Sequence, residues 1–274
     1  MTRGFSAFIL LALFAGACGG SDIGNDEIGV ALSIGAESAL TSTSTSTTVA
    51  PATSTSVAEA PTTTLPPDPH RTWVATALPH VDNLEAFTAP DGRLLTLPWP
   101  VSNPHQFGGP LTLMVTEGVP GDDWVRVQLP IRPNGQEGWI DMSDYELSNT
   151  RVRAEVVLSE TAVRVFDGDE MIAESQAVVG ALDTPTPLGT FYIAAKKQNT
   201  EEEYFLGSWA MILSSFSEAL PSFSGGLPVI AIHGTHRPDD VGEAITFGCV
   251  RVPNDVIDFL AENVPLGAPV EVAV

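Results

Sequence analysis

Three side chains near the C-terminus have the types and spacing that nucleophilic catalysis requires. Cys249 follows His233 by 16 positions, and His236 lies between them. A thiol becomes a nucleophilic thiolate near neutral pH when a neighbouring base takes its proton, and histidine is the usual base. The apolar run 227–232 predicts a buried strand that would fix His233, whereas His236 lies further along a loop. We therefore expect Cys249 to be a nucleophile and His233 its base.

Residues beside the cysteine could complete such a site. Gly248 would let the backbone approach a substrate carbonyl and turn an amide N–H towards a developing oxyanion. Arg251 carries a planar guanidinium that suits a substrate carboxylate. The segment therefore has candidates for attack, proton transfer, charge stabilisation and substrate binding.

The Cys/His pair alone leaves other interpretations open. Five side chains could be zinc ligands, although their spacing matches no common zinc pattern: His233, His236, Asp239, Asp240 and Cys249. A serine hydrolase would need a G-x-S-x-G motif, and Gly207-Ser208 lacks the flanking residues. A buried structural cysteine is the remaining alternative.

The elements that must position these residues are mostly predicted strands. Residues 153–158 and 162–166 alternate or run apolar, Asp167-Gly168 predicts a hairpin turn, and 171–179 form the return strand. A Pro/Gly turn from 184 feeds a strand that reaches 193, and 269–274 predict a closing strand. Only 255–263 predict a helix, with Asn254 as N-cap and three apolar residues on one face: Val256, Phe259 and Leu260.

A second β-rich segment covers residues 72–149. Short strands at 111–115, 124–129 and 139–141 alternate with turn formers such as Pro133-Asn134-Gly135. The stretch WVRVQLPIRPNGQEGWI resembles the end of bacterial SH3-like domains, in which W-x-x-V-x-L and a later G-W-V/I close the barrel. The resemblance implies a small β-barrel, either an accessory module or one that binds the cell wall.

The C-terminal tail AIHGTHRPDDVGEAITFGCVRVPNDVIDFLAENVPLGAPVEV resembles the catalytic segment of the YkuD-type L,D-transpeptidases. Members of that family carry the motif H-G-T/S, followed by S/T-H-G-C. Arg or Asn stands two residues after the cysteine, and a short helix and the motif G-T-P-V come next. The upstream TPTPLGTFYI is similar to the family's T-P-x-G-x-F/Y strand. The resemblance covers residues 151–274. It implies a mainly β fold, with the SH3-like barrel followed by a YkuD-like β-sandwich or barrel that carries one short helix.

The resemblance also implies residue roles. Cys249 would attack the third residue of a peptidoglycan tetrapeptide stem, expel the terminal D-Ala and leave a thioester that an amine or water resolves. His233 would be the base, oriented by the Gly234 carbonyl, with Gly248 and Cys249 supplying oxyanion amides. The substrate-binding residues would be Arg251, Thr246, Phe247, Thr235 and His236. No cofactor and no metal would be needed.

One residue departs from the family pattern, since Phe247 stands where most members have histidine. Loss of that imidazole favours an alternative function, a catalytically impaired protein that only binds the cell wall. The enzyme remains the leading hypothesis, because the residues proposed as base and oxyanion donors are still present.

Composition excludes some partners. The 274 residues carry 12 Lys and Arg against 34 Asp and Glu, a formal net charge of −22. This balance argues against nucleic-acid binding and against an electrostatic hold on anionic lipid. The sequence carries no signal for an oligomeric state.

The first 71 residues predict export and a tether. Arg3 and the ten-residue apolar run 5–14 are typical of a signal peptide, and the small residues that follow end at Cys18, as in a bacterial lipobox. Residues 19–71 are rich in Thr, Ser and Pro and predict an extended spacer. We therefore expect a lipoprotein signal at 1–18 with Cys18 lipidated, and a protein anchored on the outer face of the cytoplasmic membrane or in the cell wall. An ordinary secretory signal is the alternative.

Overall fold

The structure, a computed structural model, describes residues 68–274. In this range the chain is mainly β and contains one α-helix, which confirms the predicted fold class at that level. The predicted signal, Cys18 and the tether as far as residue 67 lie outside the described residues. Between residues 68 and 274, no helix combines the length and the apolar character that a membrane span requires.

The first sheet contains five antiparallel strands in the order β4-β3-β2-β1-β5. Its strands are β1 (Thr72–Ala77), β2 (Thr112–Glu117), β3 (Trp124–Gln128), β4 (Glu137–Asp141) and β5 (Tyr145–Thr150). In β3, Val125 and Val127 are fully buried, whereas Trp124 and Arg126 are half-buried on the other face. The period-2 pattern of the sequence therefore gives the correct inner face.

The second sheet contains eight strands in the order β14-β12-β11-β10-β15-β6-β7-β8. Chain order gives β6 (Val152–Val157), β7 (Ala162–Asp167), β8 (Glu170–Gln176), β9 (Val179–Gly180), β10 (Gly189–Gln198), β11 (Trp209–Phe216), β12 (Val229–His233), β13 (Ala244–Thr246), β14 (Val250–Arg251) and β15 (Pro269–Ala273). The short strands β9 and β13 pair separately and in parallel. The predicted hairpin lies at β7–β8, with Gly168 at a φ of +59° in its turn.

Strands β10 and β11 are buried on both faces. Phe191 and Ile193 of β10 join the main core of the second sheet, whereas Tyr192 and Ala194 pack into the core of the first sheet. Sequence reasoning missed β11, whose run WAMILSSF shows no alternation because both of its faces are covered. The site described below depends on this missed strand, which pairs with β12.

The helix α1 (Asn254–Asn263) closes one side of the main core. Two details of the prediction are wrong. Pro253 and not Asn254 is the N-cap residue, and its side chain makes no capping hydrogen bond. Ile257 and Leu260 are the buried side chains, whereas Phe259 is 37% exposed. The buried pair has the i, i+3 spacing of a single helix face.

Candidate active site

The sheet brings Cys249 and His233 to one face. Strands β12 and β14 pair in parallel, with Ile232 opposite Val250 and His233 opposite Arg251. Because side chains alternate along a strand, Ile232 and Val250 point into the main core while Cys249 and His233 share the opposite face. Both side chains line one cavity of about 350 Å³.

A tight turn presents the cysteine. Gly248 has a φ of +110°, and a Cβ there would lie 2.9 Å from Ile230 Cδ1, so glycine is required on conformational and steric grounds. The Thr246 hydroxyl donates to the Cys249 carbonyl oxygen (2.6 Å) and accepts from the Gly248 amide (3.1 Å). Thr246 is buried, and these contacts hold the turn. The Gly248 amide must leave Thr246 before it can donate to an oxyanion.

His233 is buried, with only 4% of its surface exposed. Its Nδ1 lies 2.7 Å from the Gly234 carbonyl oxygen, the group assigned by resemblance to orient the ring. Burial lowers the pKa of His233 to about 4; the Gly234 and Leu206 carbonyls act in the opposite direction, and the Arg251 charge lowers it further. At neutral pH the imidazole is therefore uncharged. Because a carbonyl only accepts, Nδ1 carries the proton and Nε2 is left to act as a base.

Cys249 is half-buried, and its Sγ lies 3.9 Å from the Val229 carbonyl oxygen. Burial raises the pKa of the thiol, although a hydrogen bond with the Ala231 backbone and the Arg251 charge both lower it. Among residues 68–274, Cys249 forms no disulfide. The resting site therefore holds a neutral thiol beside a neutral imidazole.

The loop after β12 is held by a residue that sequence reasoning misassigned. The Asn254 Oδ1 accepts the Thr235 amide N–H at 3.0 Å, and the Thr235 hydroxyl accepts from the Arg237 amide at 3.0 Å. Thr235 is buried and serves the loop, so these contacts do not place it against substrate. The sequence carries no local signal for this contact, because it joins residues 19 positions apart and depends on how α1 packs against the loop.

Two glycines let a neighbouring segment approach this loop. A Cβ on Gly234 would lie 2.9 Å from the Gly207 Cα, and Gly207 has a φ of +68°. Gly207 ends the 3-10 segment Glu201–Leu206. The close contact places Leu206 on the wall of the cavity that holds His233 and Cys249.

Phe247 lies beside the thiol and faces solvent, with 58% of its surface exposed. Its ring packs against Phe223, with 5.9 Å between ring centroids. These two rings and Cys249 also line a small apolar depression on the other side of the thiol. The residue in place of the family histidine is therefore part of an aromatic pair next to the nucleophile.

Of the remaining predicted residues, His236 and Arg251 do not line the thiol cavity, although Arg251 lies opposite His233 and its charge lowers the pKa of both His233 and Cys249. His236 is exposed, its Nδ1 lies 3.3 Å from the Phe205 carbonyl oxygen, and its ring packs on Tyr204. Asp240 pairs with Arg237 at 3.1 Å. Arg251 is half-buried, and its Nε is buried without a hydrogen-bond partner. In residues 68–274 no group of three or more His, Cys, Asp or Glu side chains is arranged to hold a metal, so the zinc alternative gains no support.

Comparison with known proteins finds a family model that matches the C-terminal part of the chain. Residues 151–272 match the family model YkuD, described as the L,D-transpeptidase catalytic domain. The match covers less than half of the 274-residue chain. It supports an L,D-transpeptidase catalytic domain over these residues, and it spans both β12 and the cysteine turn.

Curated relatives carry the same name. The chain is 28% identical over 120 residues to the protein of Bacillus licheniformis that is named as an L,D-transpeptidase, YkuD, covering 44% of this chain and 64% of that protein. It is 32% identical over 94 residues to the Bacillus subtilis protein of the same name, covering 34% and 49%. The chain thus matches less than two thirds of the length of each of these relatives.

Solved structures of L,D-transpeptidases match the chain with low TM-scores. An Enterococcus faecium L,D-transpeptidase mutant is 21% identical with a TM-score of 0.35, covering 44% of this chain and 49% of that one. An L,D-transpeptidase from Mycobacterium smegmatis is 17% identical with a TM-score of 0.35, covering 57% and 69%.

Proposed function

We propose that this protein is a cysteine-dependent L,D-transpeptidase that acts on peptidoglycan stem peptides. The observation that carries the proposal is that His233, at the end of β12, and Cys249, directly before the adjacent strand β14, line the same cavity. In the first step Sγ bonds to the carbonyl carbon of the third stem residue, and the bond to the terminal D-Ala breaks. His233 takes the thiol proton and gives it to the leaving amine. The product is a thioester on Cys249.

The second step regenerates the enzyme. An amine of a neighbouring stem attacks the thioester, His233 takes a proton from it, and the thiol leaves with that proton. The result is a cross-link; attack by water instead gives an L,D-carboxypeptidase product. The backbone carbonyls of Gly234 and Leu206, which raise the pKa of His233, would stabilise the imidazolium that forms in each step.

The experiment is turnover of a synthetic tetrapeptide stem by the full chain, with and without an amine acceptor. Release of D-Ala and a cross-linked product, both abolished in Cys249→Ala, are the expected results. Release of D-Ala without cross-linking would support the hydrolase branch. Binding of cell-wall fragments without turnover would instead support the alternative function, a catalytically impaired protein that binds the cell wall. Phe247 and the raised pKa of the neighbouring Cys249 thiol favour this alternative.

The five-stranded sheet is proposed to be the SH3-like domain expected from the sequence. Its first strand, β1, bonds to both β2 and β5, and the 3-10 turn Met142–Asp144 precedes β5. In a small β-barrel the first strand can pair with a neighbour on each side, and the pairing of β1 with both β2 and β5 agrees with that arrangement. Binding of the cell wall by this domain is part of the proposal.

We also propose that the protein is exported and anchored by lipid on Cys18. The support is the apolar run and the small residues before Cys18 in the sequence. Cys18→Ser should release the protein into a soluble fraction or leave it unprocessed. A variant that fractionates with membranes at the mature mass would disprove the anchor.

A further inference from the structure

A loop of the first sheet reaches the thiol cavity. Gln106 and Phe107, which lie between β1 and β2, line the cavity together with Cys249 and His233. The Phe107 ring packs against the small apolar cluster that includes Ala231 and touches Cys249. Residues outside the segment 151–272 that matches the YkuD family therefore form part of the candidate active site.

Hydrogen bonds hold this loop in one shape. The Asn103 Nδ2 donates to the carbonyls of Leu78 (3.0 Å) and Val81 (2.9 Å), and its Oδ1 accepts from the Leu111 amide at 2.9 Å. Nearer the tip, the His105 amide donates to the Gly109 carbonyl at 2.9 Å. The tip residues Gln106 and Phe107 thus lie on a braced loop.

The first sheet is also fixed to the strands that carry the site. The Gln128 Nε2 donates to the Thr190 carbonyl at 2.6 Å, and the Ser214 hydroxyl donates to Gln128 Oε1 at 2.9 Å. The Asn134 side chain bonds both backbone groups of Phe216, at 2.8 and 2.9 Å. These contacts set the position of the loop relative to β11 and, through β12, to the site.

We propose that Gln106 and Phe107 are specificity-determining residues that hold the acyl donor, an inference that rests on the proposed function. The acyl group bonded to Sγ must lie in a space that Cys249 lines. The depression of about 20 Å³ next to Phe247 is too small for a peptide residue, so the larger cavity is the space for the acyl group. The wall of the larger cavity is mostly apolar, and Gln106 supplies its one side-chain amide. The described lining contains no charged side chain that could pair with a charged group of the donor. The donor therefore presents an uncharged, largely aliphatic segment to Phe107 and a peptide group to Gln106.

The test uses Gln106→Glu, which keeps the size of an exposed side chain and adds a charge to the wall. Gln136→Glu is the matched control, because Gln136 is an exposed glutamine of the same sheet region that does not line the cavity. Turnover of the tetrapeptide donor gives KM and kcat. Methylthiolation of the thiol by methyl methanethiosulfonate, which forms a methyl disulfide on Cys249 and releases methanesulfinate, reports Cys249 reactivity. Gln106→Glu should raise KM about tenfold or more, within the range of pocket discrimination, without changing thiol methylthiolation. Gln136→Glu should match the wild type in both measurements.

Phe107→Leu provides a second variant that keeps an apolar side chain in the cluster. It should raise KM for the donor and leave the thiol reaction within twofold of wild type. Wild-type KM values in both Gln106→Glu and Phe107→Leu would overturn the inference while the proposed function stands. A wild-type protein that neither turns over the donor nor releases D-Ala would overturn the proposed function, and the inference with it.

Discussion

At the scale of single residues, the site rests with both reacting groups uncharged. Burial raises the pKa of the Cys249 thiol and lowers that of His233 to about 4, so neither group ionises the other at pH 7. The thiol proton would then move to Nε2 as the sulfur attacks, rather than before substrate binds. The orientation of the ring by the Gly234 carbonyl is central to this account, because it decides which nitrogen is free.

His233→Ala should remove nearly all acylation of Cys249 by a carbapenem at pH 7, because no other imidazole lines the cavity. His236→Ala should acylate at close to the wild-type rate, since that ring packs on Tyr204 outside the cavity. Stopped-flow or quenched-flow acylation rates compare the two variants. The opposite ranking would reject His233 as the base.

Phe247→His should speed acylation by tenfold or more. An imidazole beside the thiol adds a polar partner where the phenyl ring supplies none, and one positioned hydrogen bond to a transition state is worth about 2.7–4 kcal/mol at the strong end. Phe205→His is the control, since Phe205 is also exposed but does not line the small depression that Phe247 shares with Cys249. Equal rates in wild type and Phe247→His, with both proteins folded, would show that the missing histidine does not limit the reaction.

At the scale of elements, strand ends and one helix start position the chemistry. The sequence predicts β12 and the thiol turn, because an apolar run ends at His233 and a glycine precedes Cys249. It could not predict the role of Asn254, since the expected N-cap and the observed bond to Thr235 depend on how α1 packs against the loop. Strand β11 was missed for a related reason: burial on both faces removes the period-2 pattern.

Asn254→Ala should lower the acylation rate about tenfold and the free energy of unfolding by about 1–3 kcal/mol, because the Thr235 amide loses its partner beside His233. The matched control is Asn263→Ala at the other end of α1, where the lost contact to the Phe259 carbonyl is exposed. Urea unfolding and acylation rates give both quantities. A wild-type acylation rate in Asn254→Ala would remove this residue from the positioning of the site.

At the scale of the whole described chain, the two sheets form one structure. Tyr192 and Ala194, from the strand that also carries Phe191 and Ile193 of the main core, complete the core of the first sheet. The sequence predicts two successive β-rich segments and treats the first as a separate module. Contacts between residues 62 to 86 positions apart, such as those of Gln128, have no local pattern to reveal them.

The stability of this structure should depend on pH through His233. Its pKa is about 4 when folded and 6.5 in the unfolded chain, so only the unfolded state gains the proton between these values. Stability is therefore fully present above pH 6.5 and is lost as the pH falls towards 4. Between pH 7 and pH 5 the wild type should lose about 2 kcal/mol more unfolding free energy than His233→Gln, measured in urea. Equal losses in the two proteins would contradict a buried neutral His233.

The central claim is that Cys249 is a nucleophile activated within its cavity, and intact-protein mass spectrometry after exposure to a carbapenem tests it most directly. The account predicts one covalent adduct on the folded wild type, which peptide mapping places on Cys249, and no adduct on Cys249→Ala. An unmodified wild type that is shown to be folded, or an adduct that persists in Cys249→Ala, would contradict it.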